Sequence, residues 1–237
     1  MNNQKPMIHV KDIRKVYQMG DEEVVALNRI NLKIYKGEIC CIFGTSGSGK
    51  STLLNQLAGM EKPTRGEVFI RGESISRMDE NQLAGFRQRH IGFIFQAYNL
   101  LPTMTAIENV AMPLMFRGVS QKQREQAAEW MLKKVGLSHR LHHYPGQMSG
   151  GQQQRAGIAR AFVARPEVIF ADEPTGNLDS KTTAEIMKMI TEFSRRFQQT
   201  IILVTHDPEM VRYADRIVRL VDGNIISNEV QSREDEK

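Results

Sequence analysis

Four short apolar runs punctuate the chain, at Ile39–Phe43, Ile91–Phe95, 168–171 and 201–204. None alternates with polar residues, which is the pattern of strands covered on both faces of a largely parallel sheet. Each gives way at once to a polar or glycine-rich segment: Gly44 onward, Gln96, Asp172-Glu173 and Thr205-His206. Open α/β sheets bind ligands beyond the carboxyl ends of their strands, so these four segments are candidates for one shared site. Residues 24–35 and 67–71 alternate with a period nearer two and predict antiparallel strands flanking the first parallel strand. Arg216–Val221, the Asp222-Gly223 turn and residues 224–226 predict a closing hairpin.

Helical periodicity fills the stretch between the second and third runs. Ser120 and Gln123 have capping-box spacing, Ala127, Trp130, Met131 and Val135 make an apolar face, and Gly136 suits the position just past a helix end. A second helix opens at Ser149 and Gln152, again at capping-box spacing, carries Ile158, Ala159, Phe162 and Val163, and stops before Pro166. Together these predict a helical subdomain, about 97–165, inserted into an α/β core. Ile186, Ile190, Phe193 and Phe197 mark a further helix whose stripe packs into a core.

Composition narrows the classes. Hydrophobic residues are 41% and charged residues 25% of 237, a globular balance. The apolar runs fall well below the roughly 18 residues of a membrane span, and Met1-Asn2-Asn3-Gln4-Lys5 lacks a signal-peptide core, so the cytosol is the expected compartment. Cys40 and Cys41 are adjacent, which in a strand points them to opposite faces and predicts two buried small residues rather than a disulfide. The formal charge of +5 is uneven: residues 117–165 hold nine Lys/Arg against Glu125 and Glu129, a local excess of seven positive charges. Such a face suits a polyphosphate, an anionic membrane or a nucleic acid, and charge alone does not choose.

The chemistry-bearing segments choose. Gly44-Thr45-Ser46-Gly47-Ser48-Gly49-Lys50-Ser51 fits G-x-x-x-x-G-K-[ST], after a buried strand and before the helical Thr52-Leu53-Leu54. Glycines let backbone N–H groups converge on phosphate oxygens, Lys50 bridges phosphates, and the Ser51 hydroxyl suits Mg²⁺. Asp172, ending a buried strand, suits the same ion through water, and the neighbouring Glu173 suits polarisation of an attacking water. Ser149-Gly150-Gly151-Gln152 opens its helix with backbone N–H groups at a positive end, a further anion-binding arrangement.

With these residues in this order, the chain over roughly residues 7–228 resembles the ATP-binding subunit of an ABC transporter. The resemblance implies an α/β fold: a P-loop NTPase core with a mostly parallel sheet, an N-terminal antiparallel β subdomain and the inserted helical subdomain, followed by a polar tail at 229–237. It also implies ATP and Mg²⁺ as ligands. Tyr17 would stack on adenine, Gln96 would sense Mg²⁺ and couple to the membrane subunit, Glu173 would be the catalytic base, and His206 would contact the γ-phosphate. Asp179 would help link the two sites of a head-to-tail dimer, in which Ser149 and Gly151 face the ATP of the opposite copy. Permease subunits, an extracytoplasmic partner and a place on the cytoplasmic face of a bacterial membrane follow from the same resemblance.

Ala171-Asp172-Glu173-Pro174-Thr175-Gly176-Asn177-Leu178-Asp179, with Asn99-Leu100-Leu101-Pro102 and Glu108-Asn109-Val110, is most similar to the group serving macrolide exporters and lipoprotein-release complexes. Antimicrobial-peptide exporters and a cell-division ATPase are also similar. Met148 stands where that family usually has leucine, and Thr45 where it has proline or a small residue. A DNA-associated ATPase with the same head would show long heptads or Cys pairs, which this sequence lacks, so no nucleic-acid partner is expected. His139, His142 and His143 have no acidic or Cys neighbour and read as surface residues. The apolar residues from Tyr98 through Met104, Met112, Leu114, Met115 and Phe116 suit either core packing or a groove for a membrane partner, and their place after Gln96 favours the groove.

Overall fold

The computed structural model describes residues 5–231. In chain order the strands and helices are β1 (Ile8–Met19), β2 (Glu22–Ile34), β3 (Ile39–Phe43), α1 (Lys50–Leu57), β4 (Arg65–Ile70), β5 (Glu73–Ser74), α2 (Glu80–His90), β6 (Ile91–Phe95), α3 (Ala106–Phe116), α4 (Gln121–Lys134), α5 (Gly150–Val163), β7 (Val168–Asp172), α6 (Ser180–Phe197), β8 (Thr200–Thr205), β9 (Arg216–Val221) and β10 (Asn224–Val230). They divide into two compact units, one running to Arg87 and resuming at Thr200, the other Gln88–Gln199.

The first unit has an antiparallel sheet of order β2-β1-β4-β5. Its core is the inward row Ile8, Val10 and Ile13 of β1 against Leu27, Ile30, Leu32 and Ile34 of β2 and Val68 and Ile70 of β4, all buried. The two alternating segments therefore flank β1, not the first parallel strand as the sequence suggested. β1 escaped notice because its pairing with β2 shifts register three times between Val10 and Val16, with Asp12 at φ 47, and each bulge breaks the period-two alternation. In the same unit β3 lies between β8 and β9, parallel to both, and β9 turns through Asp222-Gly223 into antiparallel β10. Residues Ile39 to Ile42 are buried on both faces by this central position, which is why the run is uninterrupted. Burial pushes the Cys41 thiol up to about 12 and Cys40 higher still, leaving two unreactive thiols.

The second unit pairs β6 with β7 in parallel, Ile91 opposite Val168 and Phe95 opposite Asp172. Helix α5 approaches β6 so closely that a Cβ on Gly92 would lie 2.7 Å from the Ala161 carbonyl oxygen. The α6 stripe holds Ile186, Ile190 and Phe193, and Phe193 meets Phe162 of α5 edge-on at 5.3 Å. The capping box expected at Ser120 is absent: the Ser120 hydroxyl donates to the Gln123 side-chain oxygen at 2.8 Å instead of accepting from the helix backbone. Gly136 does end α4 in the left-handed conformation, at φ 79. The closing hairpin extends beyond 226, since β10 runs to Val230, and residues 232–237 of the expected tail lie outside the described residues. No helix among the described residues is long and apolar enough to cross a membrane.

Candidate functional site

In the first unit the Gly44–Ser51 loop is shaped by close backbone approaches. A Cβ on Gly44 would lie 2.3 Å from the Leu220 carbonyl oxygen, and one on Gly49 (φ 98) 2.6 Å from that of Ala26. Gly47 is also left-handed, at φ 79, a conformation costly for residues with a Cβ. The β9–β10 turn braces the loop from below, with the Gly223 amide donating to the Ser48 carbonyl at 3.0 Å. Lys50 is 6% exposed and its ammonium donates to the Thr45 carbonyl at 2.7 Å, curling over the loop with donor capacity to spare. The buried Ser48 hydroxyl has no partner. Thr45, Ser46 and Gly47 are exposed along the loop, and Ser51, in the first turn of α1 after Lys50, is exposed as well. A buried cation, a glycine cradle and an exposed serine fit a polyphosphate with a hard divalent cation.

Tyr17 sits half-buried on β1 opposite Val24, its hydroxyl donating to Glu61 Oε2 at 2.7 Å. The Lys15 ammonium stands over its ring, 5.0 Å from the centroid. His206 is exposed just past β8, where Asp207 caps the short helical turn Pro208–Tyr213 by accepting from the Glu209 amide at 2.9 Å.

In the second unit three segments interlock. After β6, the Gln96 amide contacts Asn177 Oδ1 at 3.5 Å while Asn177 Nδ2 donates to the Gln96 carbonyl at 3.1 Å. A Cβ on Gly176 would lie 2.7 Å from Gln96 Nε2, so any larger residue there would push the Gln96 side chain aside. Tyr98 and Asn99 are both left-handed, and the Arg160 guanidinium of α5 holds both of their carbonyls. A Cβ on Gly150 would lie 2.7 Å from the Tyr98 hydroxyl, and the buried Gln154 side chain donates to the Pro174 carbonyl. The loop after β6, the loop after β7 and the start of α5 thus form one cluster.

Within that cluster Asp172 ends β7, and Glu173 follows at φ 42, a strained position for a residue with a side chain. The capping box at Ser149 is present: its hydroxyl accepts from the Gln152 amide at 3.3 Å, and Gln152 Oε1 accepts from the Ser149 amide at 3.1 Å. Accepting that bond leaves the exposed Ser149 O–H able to donate outward, beside Gly150 and Gly151 in the first turn. Asp179 caps α6, accepting from the Thr182 amide at 3.0 Å and hydroxyl at 2.7 Å, and these bonds hold its carboxyl below the usual range.

The sequence-predicted residues thus form two sets. Tyr17, Gly44 through Thr52 and His206 belong to the first unit; Gln96, Ser149 through Gln152, Asp172, Glu173 and Asp179 belong to the second. Glu61 and Arg160 went unnoticed, since neither falls in a glycine-rich or strand-end pattern, and Asn177 was read only as part of the Ala171–Asp179 similarity, with no contact assigned to it. Only their contacts, 44 residues apart for Tyr17 and Glu61, mark them.

The family described as ABC transporter matches residues 27–176. An ABC transporter ATP-binding protein of Thermotoga maritima is 48% identical over 93% of this chain and 94% of its own length. The macrolide export ATP-binding/permease protein MacB of Vibrio parahaemolyticus is 45% identical over 96% of this chain, which spans 35% of that longer protein. Among solved structures, a dimeric post-hydrolysis state of the ATP-binding cassette MJ0796, bound to ADP and Pi, superimposes with a TM-score of 0.88 at 42% identity, covering 94% of this chain and 98% of that one. A family match over more than half the sequence and a near full-length relative agree with the loop geometry: the chain belongs to the ABC transporter family.

Proposed function

We propose that this chain is the ATP-hydrolysing subunit of a bacterial exporter-type transporter, working as a head-to-tail pair of identical copies on the cytoplasmic face of the membrane. The observation that carries the reading is the Gly44–Ser51 loop with Lys50 buried across it. The near full-length ATP-binding relative and the ADP- and Pi-bound neighbour support the same chemistry.

Lys50 and the loop amides take up the charge of the β- and γ-phosphates. The Ser51 hydroxyl, Asp172 and Gln96 would be the oxygen donors for Mg²⁺, and the bound ion would draw negative charge off the phosphate oxygens. Glu173 orients the attacking water and accepts its proton. Water oxygen bonds to the γ-phosphorus, the bond to the bridging oxygen breaks, and ADP and phosphate leave. His206 contacts the γ-phosphate from its own copy, and the Ser149 hydroxyl and Gly151 amide contact it from the other. Tyr17 stacks on the adenine.

Export as the direction rests on the similarity to MacB. Membrane subunits, and through them an extracytoplasmic partner, take the motion from the residues after Gln96. There Leu101 at 41%, Met115 at 39% and Phe116 at 62% leave apolar surface exposed. The test is phosphate release from ATP by the purified chain with and without Mg²⁺, alongside identification of the membrane proteins that copurify with it. Metal-independent or absent hydrolysis in the presence of those membrane proteins would overturn the reading.

A further inference from the structure

Around the Tyr17 ring the first unit builds more than an exposed aromatic needs. The Tyr17 hydroxyl donates to Glu61 Oε2 at 2.7 Å, Asn55 Nδ2 donates to Glu61 Oε1 at 3.1 Å, and Lys15 Nζ lies 3.2 Å from Oε2. Lys15 also donates to the Lys62 carbonyl at 3.0 Å, which pins its ammonium over one face of the ring. Asn55 belongs to α1, the helix that the phosphate loop opens, and Thr52 of the same helix is a second hydroxyl partner of Tyr17. Both carboxylate oxygens of Glu61 are therefore engaged, one by the β1 tyrosine and lysine, the other by the phosphate-loop helix.

A phenol ring on a strand otherwise has two soft torsions, and a stacking platform that rocks loses part of its binding energy to ordering. Burial and the bond to Glu61 raise the Tyr17 hydroxyl above its ordinary value, so it remains a donor. Against burial, which alone would raise it, bonds from Tyr17, Lys15 and Asn55 hold the Glu61 carboxyl below its ordinary value, so it remains a charged acceptor.

We infer that Glu61 is a positioning residue for nucleotide binding: it fixes the Tyr17 ring to the phosphate-loop helix, with Lys15 closing one face so that a purine base stacks on the other. This rests on the proposed ATP site. Glu61 touches no nucleotide in this arrangement; it acts through Tyr17.

The experiment compares wild type, Glu61→Ala, Glu61→Gln, Tyr17→Ala and the Glu61→Ala/Tyr17→Ala double variant in the full chain. ATP affinity is read by calorimetric titration, and turnover at saturating ATP alongside it. Loss of one oriented hydrogen bond is expected to weaken ATP binding roughly three- to tenfold in Glu61→Ala, with saturated turnover retained. Glu61→Gln, whose amide oxygen still accepts from the phenol, should recover most of the affinity. In the Tyr17→Ala background the Glu61 substitution should add nothing.

Tyr17→Ala with wild-type affinity would remove the adenine platform and this inference with it. A weakened Tyr17→Ala beside an unaffected Glu61→Ala would overturn the inference alone, leaving the site intact. An equal loss from Glu61→Ala with and without Tyr17 would also overturn it, because Glu61 would then act by another route. So would a fall in saturated turnover to match the fall in affinity.

Discussion

Glu173 carries backbone strain of about 1–3 kcal/mol at φ 42, directly after the strand that delivers Asp172. Glycine would adopt that φ without strain, and the residue that occupies it is the one proposed as the base. Glu173→Gln keeps shape and conformation but cannot take a proton; turnover should fall by about 10²-fold or more while ATP is still retained. Near-normal steady-state hydrolysis by that variant would contradict its role as base. Lys50→Ala removes the cation buried across the loop and should weaken ATP binding itself, so an unchanged titration would contradict the phosphate-cradle assignment. Both positions could be picked out in the sequence because each stands at a fixed spacing from the end of a buried strand, β3 for Lys50 and β7 for Glu173. Glu61 could not, because its meaning lies in a partner on another element and no local spacing encodes it.

Elements were legible to the degree that burial was uniform. β3 and β6 stand where their apolar runs begin and end, because strands covered on both faces leave no polar position to blur the pattern. β1, bulged three times, carries its buried residues out of phase and could not be read by alternation. Capping spacing also misled once. Ser120 turns its hydroxyl to Gln123, whereas Thr105, which attracted no notice, forms a full box with Glu108 at the start of α3. There the Thr105 hydroxyl and amide both donate to Glu108 Oε2, at 2.6 and 2.7 Å, and hold that carboxyl below its ordinary value. A carboxyl lowered by folding contributes stability in full above its unfolded value and loses it as pH falls through the folded one. Glu108→Gln should therefore be less stable than wild type near neutrality and converge with it in acid, as followed by urea midpoints across pH; a constant gap would rule out a charge-linked cap. One turn later, the fully buried Asn109 accepts from the Leu101 amide at 2.7 Å and donates to the carbonyls of Leu101, Met104 and Thr105. Asn109→Leu strands those peptide groups and should lower unfolding stability by about 3 kcal/mol, whereas a loss below about 0.5 kcal/mol would mean that water replaces the amide.

At the scale of the whole molecule, the dimer reading makes a demand that no single copy can meet. If two copies pair head to tail about a two-fold axis, the interface is isologous, and each copy lends its Ser149 to the ATP held by the other's Lys50. A complete site then needs Lys50 from one copy and Ser149 from its partner. Consider two copies tethered in one polypeptide, carrying Ser149→Arg and Lys50→Ala in different halves. One site combines the intact Lys50 of the first half with the intact Ser149 of the second, and the other site collects both lesions. Place both substitutions in one half instead, and each site receives one lesion. The two tethered proteins have the same composition and differ only in arrangement, so folding defects intrinsic to either substitution weigh on both alike. The split arrangement should retain one tightly held ATP per tethered dimer, and the combined arrangement should retain none. Retention is the deciding measurement, because hydrolysis that needs both sites at once would be lost from both proteins, while nucleotide held in one intact site would still be counted. Equal retention from the two arrangements would show that each copy completes its own site, and the head-to-tail dimer would no longer explain why Ser149 presents its hydroxyl at an exposed helix start.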